Sequence, residues 1–182
     1  SVTVTNTDND VAGITVTPTS GLTTTEAATT ATFTVVLDAK PTADVVIPIS
    51  SGDTAEVSVS PASLTFTTGN WDSAQTVTLT GVDDAGTIDG DKLVTIALAA
   101  ATSTDTNFDT LNPADVTVTN TDGDVAGITV TPTSGLTTDE SGATDTFTVV
   151  LTGQPTADVV IPISSGDTAE VSVSPASLTF TS

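Results

Sequence analysis

The chain has 182 residues and a formal net charge of −21, with Lys40 and Lys92 as its only basic residues. Nucleic acid and anionic membrane surfaces are bound through basic surfaces, so this composition excludes both as partners. The chain has no cysteine and no histidine, which excludes disulfide bonds and the catalytic sets that need either residue. No apolar run approaches the roughly 18–20 residues of a membrane span. We therefore expect a chain that is not an enzyme and does not cross a membrane in this window.

The sequence contains a long internal repeat. Residues 1–68 align with residues 115–182 without insertion, and 11 of the 68 positions differ. A period of this length matches one independent domain rather than a small solenoid unit. We therefore expect three segments: the C-terminal strand of a preceding repeat at 1–10, a complete domain at 11–124, and the N-terminal half of a near-identical repeat at 125–182. We also expect the array to continue in a longer parent protein.

Strand-like alternation runs through the whole repeat. Val, Ile, Leu or Phe mostly alternates with threonine or serine in eight segments, which in chain order are 14–18 (ITVTP), 32–37 (TFTVVL), 44–50 (DVVIPIS), 56–60 (EVSVS), 63–67 (SLTFT), 76–82 (TVTLTGV), 93–99 (LVTIALA) and 115–121 (DVTVTNT). A period of two places the aliphatic side chains on one face of a strand and the hydroxyls on the other. Short strands separated by turn residues predict an all-β antiparallel sandwich.

Acidic residues concentrate at the turns between these segments. The complete repeat and its flanking copies together supply Glu26, Asp53, Asp83, Asp84, Asp89, Asp91, Asp122, Asp124, Asp8, Asp10, Glu140 and Asp167. Alternate turns of an antiparallel sandwich lie at the same end, so the order of the strands allows these acids to meet at one pole. The alternative for any single aspartate is that it only caps its turn.

A cluster of carboxylates favours a bound cation. Several carboxylates at one pole repel one another unless a cation neutralises them. Calcium takes about 6–8 oxygen ligands from flexible loops, whereas magnesium requires a smaller rigid octahedron and zinc prefers His or Cys. The run Asp122–Gly123–Asp124 offers two carboxylates and a carbonyl from one short segment. We therefore expect these acids to bind Ca²⁺.

Three stretches of the repeat resemble tandem Calx-β domains: VTVTNTDGDVAGITV at 116–130, LTTTEAATTATFTVVL at 22–37 and VTLTGVDDAGTIDGD at 77–91. The resemblance implies tandem immunoglobulin-like antiparallel β-sandwich domains with calcium bound between loops at one pole. It matches Glu26 to the opening acid of the family, Asp53 to the mid-domain loop, Asp83 and Asp84 to the acidic loop with Asp89 or Asp91 near its later acids, and Asp122 and Asp124 to the terminal cluster. Here Gly123 interrupts that cluster, and the later acids are Asp rather than Glu, so we expect fewer ions or weaker binding.

Arrays of near-identical units also resemble the extender regions of giant bacterial adhesins. This implies a calcium-rigidified structural repeat of a secreted bacterial surface protein, in an adhesin stalk or an extracellular filament. Its partners would be neighbouring repeats of the same chain, with lateral or end-to-end self-assembly left open. The alternative is a calcium-regulated adhesion module that binds a ligand or a glycan. Trp71 is the one candidate aromatic platform for a sugar, and its other interpretation is a ring that covers one end of the core.

Overall fold

The computed structural model describes residues 1–7, 9–84 and 86–182 of the chain. All regular structure in these residues is β-strand, and none of them belongs to a helix that could span a membrane. The chain divides into two compact units. The first is Ser1–Asp84 together with Gly90–Gly123, and the second consists of 86–89 together with Asp124–Ser182.

The first unit is a sandwich of two sheets. Its strands are β1 (Ile14–Thr17), β2 (Leu22–Thr25), β3 (Thr30–Leu37), β4 (Val45–Ser51), β5 (Val57–Ser60), β6 (Ser63–Phe66), β7 (Gln75–Gly81), β8 (Lys92–Leu98), β9 (Thr102–Ser103) and β10 (Val116–Thr121). One sheet has the order β1-β3-β7-β5, and the other has the order β2-β10-β8-β4-β6 with β9 beside β4. The pairings are antiparallel except that of β10 with β2, which is parallel. The all-β antiparallel sandwich predicted from the alternation is confirmed.

A single hydrophobic core lies between the two sheets. Val35 and Leu79 reach it from one sheet, Ile96 and Val118 reach it from the other, and all four side chains are fully buried. Each is an alternate residue of its strand, and the intervening residues, most of them threonines, are less buried and point away from the core. Full burial of one such aliphatic side chain stabilises the fold by about 1.5–3 kcal/mol. The alternating pattern of the sequence therefore supplies both the strands and the core.

The second unit consists of two separate strand pairs. Strand β11 (Ile128–Thr131) pairs with β12 (Thr148–Leu151), and β13 (Val159–Pro162) pairs with β14 (Ser177–Phe180), both antiparallel. These strands repeat the sequences of β1, β3, β4 and β6, and they keep the same registers. Each of the two pairings therefore forms from the same sequence in both units.

Burial distinguishes the two copies. Phe33 in the first unit is 1% exposed, whereas its counterpart Phe147 is 36% exposed, and Val57 is fully buried while Val171 is 40% exposed. In the first unit these side chains share a core with β7, β8 and β10. Residues 125–182 contain no counterpart of those three strands. The apolar face of the second unit is open as a result.

Candidate metal site

Several acidic loops meet at one end of the first unit because of how its strands end. Strands β2 and β10 run parallel and end at Thr25 and Thr121, so the next residues, Glu26 and Asp122, leave the sheet side by side. The N–H of Glu26 donates to the carbonyl oxygen of Thr121 at 3.4 Å, which fixes the two loops together. The parallel pairing thus brings an early and a late acid of the repeat to the same edge.

The carboxylates of Glu26 and Asp122 form a close pair. Each offers an oxygen within 4.8 Å of the other. The N–H of Gly123 donates to Glu26 Oε2 at 2.7 Å, and the N–H of Gly90 donates to Asp122 Oδ2 at 2.8 Å. Asp91 is tied to the same place, because its Oδ1 accepts the N–H of Asp122 at 3.2 Å. Backbone donors therefore orient three carboxylates at this end of the sandwich.

A second group of acids lies where β7 ends and β5 begins. Glu56 and Asp84 offer oxygens within 4.8 Å of each other, and so do Asp83 and Asp84. The N–H of Val82 donates to the carbonyl oxygen of Glu56 at 2.8 Å, which holds the β7 end against the start of β5. Glu56 is 7% exposed. A buried carboxylate is costly unless it is hydrogen-bonded or paired with a cation, so this position requires partners.

Buried Asn120 connects the second group of acids to strand β2, which ends next to Glu26. Its Oδ1 accepts the hydroxyl of Thr24 at 2.9 Å, and its Nδ2 donates to Glu56 Oε2 at 3.1 Å and to the carbonyl oxygen of Val82 at 3.3 Å. Gly81 makes room for this network, since a Cβ there would lie 2.6 Å from Asn120 Oδ1 and would collide with a backbone carbonyl. The network links the ends of strands from both sheets.

Sequence analysis did not identify Glu56, Thr24 or Asn120 as site residues. A signal for Asn120 was present, because Val116, Val118 and Asn120 are alternate residues of one strand and all three face inward. A polar residue on an otherwise apolar face must find a hydrogen-bond partner inside the protein. No comparable signal marks Thr24, which lies among other threonines.

The remaining predicted residues of the first unit lie elsewhere. Asp53 is exposed, its Oδ1 accepts the N–H of Ala55 at 3.0 Å, and its carbonyl oxygen accepts the N–H of Val57 at 3.0 Å. These bonds shape the turn before β5. Asp10 is exposed, and Asp8 lies outside the described residues.

Four predicted residues belong to the second unit. They are Asp89, Asp124, Glu140 and Asp167. Asp167 repeats the turn of Asp53, since its Oδ1 accepts the N–H of Ala169 at 3.0 Å. Glu140 is exposed. Its counterpart Glu26 lies beside the end of β10, and the described residues of the second unit include no strand equivalent to β10. The assignment of metal ligands among all these acids stays a prediction.

No protein-family model and no curated protein matches the chain. Among solved structures, the apo-form Calx CBD1 domain is 20% identical, with a TM-score of 0.46 over 61% of this chain and 96% of that one. CBD12 from CALX1.2 is 18% identical, with a TM-score of 0.48 over 92% and 70%. The calcium binding domain CBD12 of CALX1.1 is 19% identical, with a TM-score of 0.45 over 62% and 45%. At these scores and identities, the likenesses give no information about the ligands of this chain.

Proposed function

We propose that the chain binds calcium at the acidic end of its complete sandwich. The observation that carries this proposal is the pairing of carboxylates there, Glu26 with Asp122 and Asp84 with both Glu56 and Asp83, with oxygens within 4.8 Å. Two like unit charges about 4 Å apart near a protein surface repel by roughly 4 kcal/mol. A bound divalent cation converts this repulsion into attraction.

The donor set favours calcium over other cations. Every side-chain donor in the pairs is a carboxylate oxygen, and hard oxygen ligands suit calcium and magnesium. Residues 82–84 and 122–123 form irregular segments rather than strands, which suits the variable coordination of calcium better than the strict octahedron of magnesium. The chain has neither the cysteine nor the histidine that zinc prefers.

We infer weak binding, in the range of about 10⁻⁴–10⁻³ M that is common in extracellular modules. Gly123 interrupts the terminal acids, and its N–H occupies Glu26 Oε2 at 2.7 Å. A carboxylate oxygen that accepts a backbone hydrogen bond is a weaker donor to a metal than one with both lone pairs available. The site would therefore bind calcium only where calcium is abundant, and there the bound ion would stabilise the folded protein.

The role that fits such a site is structural. We propose a calcium-stiffened extender repeat of a secreted bacterial surface protein, in an adhesin stalk or a filament at the cell surface, with neighbouring repeats as partners. Near-identical copies in tandem add fixed increments of length, and 57 of 68 aligned positions are identical. Trp71, the aromatic residue that a glycan-binding module would present to a sugar, packs against the hydrophobic core instead.

Thermal unfolding tests calcium binding. Trp71 is the only tryptophan and lies in the first unit, so its fluorescence reports that unit alone. With binding in the range given above, calcium at about 10 mM should add roughly 1.4–2.7 kcal/mol to the free energy of unfolding. Magnesium at the same concentration, in buffers of equal ionic strength, is the control. Equal midpoints in calcium and in chelator would refute the proposal, as would an equal effect of magnesium.

Small-angle X-ray scattering of the full chain tests the stiffening role. We expect a less flexible scattering profile in calcium than in chelator. A calcium-dependent melt combined with identical scattering profiles would leave calcium binding in place and remove the extender mechanism.

A further inference from the structure

Part of the loop between β7 and β8 belongs to the second unit rather than to the first. Residues up to Asp84 and from Gly90 onward lie in the first unit, whereas residues 86–89 lie in the second. Gly86 has a φ of +90° and Gly90 a φ of +77°, a backbone conformation that glycine adopts without steric cost. The two glycines therefore allow sharp changes of direction close to both ends of the loop at 86–89.

This loop contacts a tripeptide that directly follows β12, Thr152–Gly153–Gln154. The N–H of Gln154 donates to the carbonyl oxygen of Gly86 at 2.8 Å, and Thr87 forms an isolated parallel β-bridge with Gln154. Ile88 is half-buried, and its Cδ1 lies only 2.7 Å from the place that a Cβ would occupy at Gly153. A backbone hydrogen bond and an apolar side chain therefore meet the same three residues.

Gly153 provides the space for this contact. A Cβ there would also lie 3.0 Å from Ile88 Cγ1 and 3.3 Å from the carbonyl oxygen of Gly86. The end of an isoleucine side chain can turn aside, but Cγ1 and the carbonyl lie closer to the backbone, so relief of all three contacts would shift the loop. Gly153 is not among the residues with positive φ. Space rather than backbone conformation is therefore the reason for a glycine at this position.

The tripeptide is the part of its region that differs between the two copies of the repeat. Its counterpart is Asp38–Ala39–Lys40, and all three residues differ, whereas the six residues before it and the 27 residues after it are identical in the two copies. Alanine thus takes the place of the glycine that receives Ile88. Asp38 and Lys40 are exposed on the complete sandwich of the first unit, so this tripeptide lies on the outside of a finished repeat.

We propose that Thr152–Gly153–Gln154 is a docking site for the loop at 86–89 of the preceding repeat, and that Gly153 makes the site specific for Ile88. The inference deepens the proposed extender role, on which it rests, because it names the surface through which one repeat holds its neighbour. The hydrogen bond from Gln154 orients the loop, and removal of Ile88 from water stabilises the contact. A repeat with alanine at this position would require a smaller side chain in place of Ile88.

Amide hydrogen exchange of the full chain, followed by NMR, tests whether the loop docks. The N–H of Lys40, the counterpart of Gln154, makes none of the hydrogen bonds found in the described part of the chain, so the two amides provide an internal comparison. We expect the N–H of Gln154 to exchange at least tenfold more slowly than that of Lys40, after correction for the intrinsic rates of the two sequences. Equal protection of the two amides would overturn the proposal.

The exchange is recorded in chelator, so its outcome does not depend on calcium binding. Slow exchange at Gln154 in a chain whose unfolding midpoint does not respond to calcium would keep the docking site and remove the calcium-binding proposal. Fast exchange at Gln154 in a chain that calcium stabilises would remove the docking site alone.

Two substitutions test the contact between side chain and glycine. Gly153→Ala, which introduces the residue of the first copy, should lower the protection of Gln154 at least fivefold, and Ile88→Ala should lower it at least threefold. The matched control is Gly166→Ala, because Gly166 is an exposed glycine of the second unit where an added Cβ would meet no atom within 4 Å. We expect this control to leave the protection of Gln154 unchanged.

A neighbouring amide separates loss of docking from unfolding of the second unit. The N–H of Thr152 donates to the carbonyl oxygen of Gly127 at 3.0 Å and should keep its protection in Gly153→Ala and in Ile88→Ala. The proposal would be overturned by unchanged protection of Gln154 in either variant, by an equal loss in Gly166→Ala, or by a parallel loss at Thr152.

Discussion

The side-chain amide of Asn120 donates to the carboxylate of Glu56 across 3.1 Å, and both side chains are buried. The other end of the same amide accepts the hydroxyl of Thr24. An asparagine is required by this geometry, because one end must donate to a carboxylate and the other must accept from a hydroxyl. The pair keeps a buried carboxylate hydrogen-bonded next to the proposed calcium ligands.

Asn120→Asp should destabilise the first unit by about 1–3 kcal/mol in chelator. The new carboxylate cannot donate to Glu56 and repels it, and calcium should restore part of the loss. Urea unfolding followed by Trp71 fluorescence measures the effect. The control is Asn112→Asp, which adds the same charge at an exposed asparagine. If Asn112→Asp were equally destabilising, added charge rather than the buried network would be the cause.

Sequence reasoning could locate the acids but not the network behind them. Glu26 and Asp122 follow strands and carry charge, so turn position and composition are enough to single them out. Thr24, Glu56 and Asn120 come from three distant parts of the chain, and they meet only because β2 and β10 pair in parallel while β5 pairs with β7. Alternation within one strand carries no information about which strands become neighbours.

Removing the Glu26 and Asp122 carboxylates should abolish most of the calcium response. The double variant Glu26→Gln with Asp122→Asn keeps the size of both side chains and removes two of the proposed ligands. The rise in the thermal unfolding midpoint that calcium causes should therefore fall by more than half. Melts in calcium and in chelator measure it.

Asp53→Asn is the matched control, because Asp53 is exposed and its carboxylate accepts the N–H of Ala55 in its own turn. We expect its calcium response to equal that of the wild-type chain. If the Asp53→Asn response were lost instead, the mid-domain loop would be part of the calcium site.

Two of the ten strands of the first unit escape prediction from alternation. Strand β2 reads LTTT, with one aliphatic residue, and it is a strand because four of its residues pair with β10. Strand β9 has two residues and exists through its pairing with β4. Residues 136–139 of the second unit are the equivalent of β2, and they form no strand because residues 125–182 contain no equivalent of β10 to pair with them. Tertiary pairing rather than local preference decides both segments.

Asp105 anchors the loop before β10 and makes the first unit sensitive to acid. Its Oδ2 accepts the N–H of Thr42 at 2.7 Å, and its Oδ1 accepts the N–H of Asn107 at 3.0 Å. These hydrogen bonds, that from Thr42 above all, lower the pKa of the Asp105 carboxyl below its ordinary value. A carboxyl whose folded pKa is lowered adds stability above its unfolded pKa, and this is lost as the pH falls through the folded value.

The first unit should therefore lose stability as the pH falls below about 4, the ordinary range of carboxyl groups. Asp105→Asn should lower the urea midpoint of unfolding at neutral pH. It should also make the free energy of unfolding fall less steeply as the pH is lowered from 7 into the acid range. Asp44→Asn removes an exposed carboxylate from the same unit and should leave both unchanged. An acid limb of unaltered slope in Asp105→Asn would show that other carboxyls control acid unfolding.

The two copies of TFTVVL show how strongly context determines the energetic role of a residue. Phe33 and Phe147 lie in the same six-residue sequence. The strand pairs β1–β3 and β11–β12 beside them have the same register, yet Phe33 is 1% exposed and Phe147 is 36% exposed. Burial supplies the energy of a core phenylalanine, and the strands that bury Phe33 are absent from residues 125–182. Identical local sequence therefore does not imply identical stability.

Phe33→Ala should cost the first unit about 3–5 kcal/mol, the usual price of emptying a core phenylalanine site. Phe147→Ala should change the main unfolding transition of the full chain by less than about 0.5 kcal/mol, as expected for a partly exposed site. Differential scanning calorimetry of both variants in chelator, at a protein concentration where the chain is monomeric, compares them directly. Because the two substitutions are chemically the same, differences in helix or strand preference cancel. Comparable losses in both variants would mean that the second unit has a packed core of its own.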